Sequence, residues 1–125
     1  MKKFILFFFA FLLTFGATAQ AQSRSELTDI LEKFCQTYYK EAFNKTYHNG
    51  SLEITTIEVL DEDKGIILVN GKHSYKATIN HYKQPFKAEI SETKLGLKIS
   101  FYKWYEADFF AAGHWEGPFT KTIIP

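Results

Sequence analysis

KGIILVNGKHSYKATINHYKQPFKAEISETKLGLKISFYKWY, residues Lys64–Tyr105, decides the fold. Over most of its length apolar and polar residues alternate. Tyr75, Ala77 and Ile79 share one phase, with His81 next in it; Phe86, Ala88 and Ile90 follow, then Leu95, Leu97, Ile99 and Phe101. The opposite phase carries Lys76, Thr78, Asn80 and Tyr82, then Lys87, Glu89 and Ser91, then Gly96, Lys98, Ser100, Tyr102 and Trp104. Successive side chains of a strand point to opposite faces, so this register puts one face in a core and the other in water. Turn signals divide the runs. Asn70-Gly71 suits a type I′ hairpin because both residues tolerate positive φ, and Lys83-Gln84-Pro85 and Glu92-Thr93-Lys94 mark the next two turns. The spacing predicts an antiparallel meander with strands at about 65–69, 73–82, 86–91 and 95–104.

Upstream, the β-branched residues from Leu52 to Leu60 predict another strand, about 52–60. Ile54 and Ile57 cannot share a face in a regular strand, so a bulge near Thr55-Thr56 is expected. Asp61-Glu62-Asp63-Lys64-Gly65 reads as a polar turn. Downstream, Gly113–Pro118 has loop chemistry, and 119–124 reads as an edge strand closed by Pro125.

A one-sided sheet needs a cover, and the segment before it supplies one. Leu27, Ile30, Leu31, Phe34, Cys35, Tyr38 and Ala42 recur at helical spacing and form one apolar stripe. Ser23 with Glu26 has the form of a capping box. Asp29–Lys33 and Glu41–Lys45 are spaced for favourable pairs on the wet side. The pattern fades by Asn44, and Asn49-Gly50 marks a turn, so a helix is expected over about 24–44. The fold class expected is α+β, one N-terminal amphipathic helix packed on a four- to six-stranded antiparallel meander. The sequons Asn44-Lys45-Thr46 and Asn49-Gly50-Ser51 are read as chance, because the start of the chain looks bacterial.

The order helix, hairpin, hairpin, with Asp61-Glu62-Asp63-Lys64-Gly65-Ile66-Ile67 and then Gly71, resembles small exported bacterial domains with a TATA-binding-protein-like fold. It is also similar in order to the cystatin-like fold, a sheet wrapped on one helix. The Gln-Val-Gly hairpin and Pro-Trp pair with which cystatins engage proteases do not occur here, so the resemblance implies an architecture and not protease inhibition.

Lys2-Lys3, the apolar run Phe4–Leu13 and the exits Ala17-Thr18-Ala19 and Ala19-Gln20-Ala21 have the form of a cleaved secretory signal at 1–21. The run is shorter than the ~20 residues of a membrane span. The competing reading of the segment is an uncleaved N-terminal anchor. Residues 22–125 then make one domain of about 105 residues, enough to bury one core. A periplasmic or secreted location is expected. Cys35 is the only cysteine, so no disulfide forms within the chain, and its place on the apolar stripe predicts a small buried hydrophobe.

The formal charge is +1, and it is unevenly spread. Residues 22–63 carry four basic and nine acidic groups, 64–103 carry eight lysines against Glu89 and Glu92, the tail from Trp104 onward is acidic, and Lys2 and Lys3 stand at the start. Lys76, Lys87 and Lys98 with Tyr82, Tyr102 and Trp104 fall on the outward phase of the meander. Cations interleaved with aromatic rings suit an anionic or stacking ligand, such as an acidic glycan or an acidic protein patch. Export sets nucleic acid aside as a partner. The same residues also fit an ordinary solvated sheet face. Trp115, flanked by His114 and Glu116, is a second candidate anchor for a partner or sugar, or a ring tucked against the core edge. The four histidines, His48, His73, His81 and His114, stand in no metal-ligand spacing, and no phosphate loop, nucleophile elbow or cofactor motif occurs. No cofactor, metal or catalytic set is therefore expected. The reading that follows is a non-catalytic exported binding or interaction module. A periplasmic immunity or inhibitor protein is the first alternative. A small hydrolase using His114 and Glu116, or His81, is the second.

Overall fold

The structure is a computed structural model that describes residues 17–105 and 112–124, with side chains from Ser23 onward. Among the described residues one helix, α1 (Ala17–Phe43), packs on a curled antiparallel sheet of six strands, so the fold is α+β. The strands are β1 (Thr46–Tyr47), β2 (Glu53–Asp61), β3 (Ile66–Ala77), β4 (Asn80–Thr93), β5 (Gly96–Tyr105) and β6 (His114–Ile123). The meander β2-β3-β4-β5-β6 is antiparallel throughout, and β1 pairs with the far half of β3 beside β2. Among the described residues no helix is long and apolar enough to cross a membrane.

The core lies between the helix stripe and the concave face. Leu27, Leu31, Phe34, Cys35 and Tyr39 of α1 meet Ile67, Val69 and Tyr75 of β3, Phe86, Ala88 and Ile90 of β4, and Leu97, Ile99 and Phe101 of β5. The strand residues occupy the inward phase read from the sequence, and Tyr39 extends the stripe. The helix starts earlier than expected. Ala17–Gln22, rich in strong helix formers, continues it backwards, so Ser23 is a buried helix residue and caps nothing. Most of the expected signal, residues 1–16, lies outside the described residues. Asn44, at φ 54°, ends the helix as a left-handed cap, its N–H donating to the carbonyl of Lys40 at 2.9 Å. Glu41 meets Lys121 of β6 at 3.4 Å, not Lys45.

Two expected turns are not turns. Asn70-Gly71 lies inside β3, and Lys83-Gln84-Pro85 lies inside β4. The hairpin forms at Thr78-Ile79, closing an unbroken ladder from Ile66↔Ser91 to Ala77↔Asn80. A turn at Asn70-Gly71 would have ended that ladder after Val69. Gly71 serves a different purpose: a Cβ there would stand 2.0 Å from the carbonyl oxygen of Glu53 and 2.6 Å from the Phe86 ring. Pro85 is tolerated because the β4–β5 ladder stops at Phe86↔Lys103, so the strand is locally an edge.

Moving the turn changes the phase around it. Ile79 and Leu95, expected inward, sit at hairpin tips, each 79% exposed. His81 is exposed on the outer phase, and Tyr82 turns inward and stacks on Tyr75 with centroids 5.5 Å apart. The bulge expected near Thr55 is present: the β2–β3 register shifts between Ile54 and Thr56. Arg24 of the helix donates to the freed carbonyls of Ile54 and Thr55 at 3.1 and 3.4 Å. The expected turn at Asp61–Gly65 is closed by the Lys64 N–H donating to the Asp61 carboxylate at 3.0 Å.

The expected 113–118 loop is instead the first half of β6. A further bulge at Gly117-Pro118 opposes Tyr102, the register changing from Phe101↔Phe119 to Lys103↔Glu116. The extra residue lets Glu116 and Phe119 both face the helix side. β6 extends the sheet beside β5 and does not cross its outer face.

Candidate functional site

The outer face of β4, β5 and β6 carries a compact aromatic cluster around one cation. Lys87 pairs directly with Tyr102, and Trp104 pairs directly with Trp115. The Lys87 ammonium lies 4.8 Å from the Tyr102 ring centre and 4.6 Å from that of Trp115. The two indoles meet edge to face, centroids 5.2 Å apart and planes at 80°. Each such contact contributes about 0.5–1.5 kcal/mol. Gly113 lets the Trp104 indole lie against the backbone, because a Cβ there would fall 2.4 Å from Cζ2. All four side chains are half-buried, so each leaves part of its surface to solvent.

The other expected site residues do not join this cluster. Lys98 is exposed on the same face but four residues along β5 from Tyr102, roughly 13 Å away. Lys76 is exposed opposite His81, six residues along β3 from the partner of Lys87, roughly 20 Å away. Tyr82 is on the other face. Along β6 Trp115 faces the outer side and His114 and Glu116 the other, where each of the two is taken up by a different residue of β5. His114 stacks on Tyr105 at 4.8 Å, and Glu116 is engaged by Lys103.

The concave side holds a polar network that sequence reading did not single out. Lys103, 1% exposed, donates to Glu116 at 2.6 Å and lies 4.8 Å from the Tyr75 ring centre. His73, 0% exposed, sits between the Gln84 carbonyl, 2.8 Å from Nδ1, and the Tyr39 hydroxyl, 2.7 Å from Nε2. A carbonyl only accepts, so Nδ1 carries the proton and Nε2 accepts from Tyr39. Burial lowers the His73 pKa to about 4, the nearby Lys103 charge adding to that, while the Gln84 hydrogen bond opposes it. Burial likewise holds the Tyr39 hydroxyl well above its ordinary range. Burial and the Glu32 charge push the Cys35 thiol up. His73, Tyr39 and Cys35 are each held neutral, Lys103 is paired with Glu116, and every buried side-chain polar atom described has a partner. The signal for two of them lay in the alternation itself: His73 is two residues before Tyr75, and Lys103 two after Phe101.

A groove of about 620 Å³ separates α1 from β6. Ile30, Phe34, Tyr38, Ile123 and Ile124 give it an apolar floor, with Glu26, Asp29 and Lys33 along the helix rim. β6 ends the strand order, so its outer backbone edge has no strand beside it among the described residues. Among those residues no group of three or more His, Cys, Asp or Glu side chains is placed to hold a metal ion. Comparison of the chain with protein-family models, curated proteins and solved structures finds no match.

Proposed function

We propose that the chain is an exported, non-catalytic binding module whose ligand sits on the outer sheet face over Lys87, Tyr102, Trp104 and Trp115. Export rests on the leader-like start, Lys2-Lys3 with Phe4–Leu13. The observation that carries the binding site is the Lys87 ammonium seated between the rings of Tyr102 and Trp115. Half-exposed rings on paired strands present flat apolar surfaces at little entropic cost, and the ammonium beside them attracts an anionic group. An acidic glycan offers both a sugar ring face and a carboxylate. Binding of a uronic-acid oligosaccharide should alter the tryptophan emission. Trp115→Ala and Lys87→Gln should each weaken it by about tenfold, and Lys76→Gln, far along the sheet, should not. An emission titration that is flat for acidic and neutral oligosaccharides alike overturns the proposal.

The hydrolase alternative needs groups that converge on one cavity, and they do not: Glu116 is tied to Lys103, His114 stacks on Tyr105, and His81 is exposed beside His48 on the outer face. The immunity or inhibitor alternative is favoured by one observation, the apolar groove beside the outer edge of β6. An extended segment of a partner protein would pair with that edge and place alternate side chains in the groove.

A further inference from the structure

At the corner where β1, β3 and β4 meet, two imidazoles face each other. Nε2 of His48 lies 3.0 Å from Nδ1 of His81, with ring centroids 4.8 Å apart. We propose that this pair is a two-point site for a divalent first-row transition ion, copper(II) foremost.

The spacing suits chelation. With metal–nitrogen bonds of about 2.0–2.1 Å, two nitrogens stand about 2.8–3.0 Å apart at a right angle and about 3.3 Å apart in a tetrahedron. The present separation is that of the right-angled arrangement, which copper(II) and nickel(II) prefer, and copper(II) leads the affinity order at nitrogen sites. Rotation of the two rings would bring their lone pairs onto a common point. One nitrogen of the present hydrogen bond carries a proton. On binding, solvent transfers it to the other nitrogen of the same ring, so both rings stay neutral and both lone pairs reach the ion. Water completes the coordination.

Both histidines stand on pinned backbone. The His48 N–H donates to the Ser74 carbonyl at 3.0 Å, and the His48 carbonyl accepts from the Ser51 hydroxyl at 2.7 Å. Glu32 of the helix accepts from the Gly50 N–H at 2.8 Å, tying that turn to α1. His81 stands directly across from Lys76 in the β3–β4 hairpin. The Lys76 side chain is exposed and long enough to carry its charge into solvent.

The test is calorimetric titration of the full chain with copper(II) sulfate in a non-coordinating buffer, alongside electron paramagnetic resonance of the bound ion. One ion per chain and two imidazole nitrogens in the spectrum are expected. His48→Ala and His81→Ala should each weaken binding by about tenfold or more and remove one nitrogen, while His114→Ala changes neither. Circular dichroism checks that the variants fold, as substitution at two surface side chains should allow. Copper affinity and nitrogen count that are unchanged in both His48→Ala and His81→Ala overturn the proposal.

Discussion

His73 is a histidine made unable to act as one. Its Nδ1 proton is given to Gln84 and its Nε2 lone pair is taken by Tyr39, so protonation would need one of those bonds to break in a dry interior. The folded pKa of about 4 lies below the ordinary 6.5. The unfolded chain therefore takes up this proton first. The contribution of His73 to stability is complete above about pH 6.5 and declines as pH falls through the window from 6.5 to 4, by on the order of 3 kcal/mol in all. Urea melts between pH 4 and 7 should show that acid limb, and His73→Gln should flatten it. An acid limb of equal slope in the variant would assign the effect to other groups.

Among the elements, the hairpin signal in the sequence and the hairpin of the structure fall at different places. Asn70-Gly71 has the chemistry of a tight turn, yet Thr78-Ile79, with none of it, forms the turn. Thr78 sits at φ 58°, and positive φ at only the first central residue is the pattern of a type II′ turn, which favours glycine there. A β-branched residue in that conformation stores about 1–2 kcal/mol. Thr78→Gly should therefore raise the melting temperature by a few degrees. Gly71→Ala should lower stability by about 2 kcal/mol or more, because its methyl group meets the β2 backbone and the Phe86 ring. If Asn70-Gly71 were the working turn, Thr78 would stand in a regular strand and Thr78→Gly would lower the melting temperature instead. The bulge near Thr55 was legible beforehand because Ile54 and Ile57 broke the strand period within one short run. The bulge at Gly117-Pro118 was not, since a glycine-proline pair reads equally well as a loop.

Across the whole molecule, Lys103 joins the helix, the sheet centre and the last strand. Its ammonium reaches Glu116 of β6, lies 4.8 Å from the Tyr75 ring of β3 and 5.8 Å from the Phe43 ring of α1. The pair is asymmetric, the lysine 1% and the glutamate 37% exposed. Glu116→Ala leaves a buried ammonium with rings alone around it and should cost about 2–3 kcal/mol. Lys103→Met leaves only a half-wet carboxylate and should cost less. Equilibrium unfolding of the two variants decides this, and equal losses would count against the asymmetry. The charge pattern along the chain acquires a spatial meaning here as well. Lys76, Lys87 and Lys98 stay on the outer face, and one lysine of the same basic stretch, Lys103, is the core's own cation.

Legible in the chain alone were the α+β class, the helix stripe, the bulge near Thr55 and the inward residues Phe86, Ala88, Ile90, Leu97, Ile99 and Phe101. Side-chain period is a local property, and burial of one face enforces it at every residue. Only the tertiary structure decided where β3 turns, which face Tyr82 and His81 occupy, that Lys87 seats among Tyr102, Trp104 and Trp115, and that His48 meets His81. Those outcomes depend on which ladder is longest and which strands become neighbours. Turn chemistry alone favours Asn70-Gly71, and the longer ladder that a turn at Thr78-Ile79 permits overrides it.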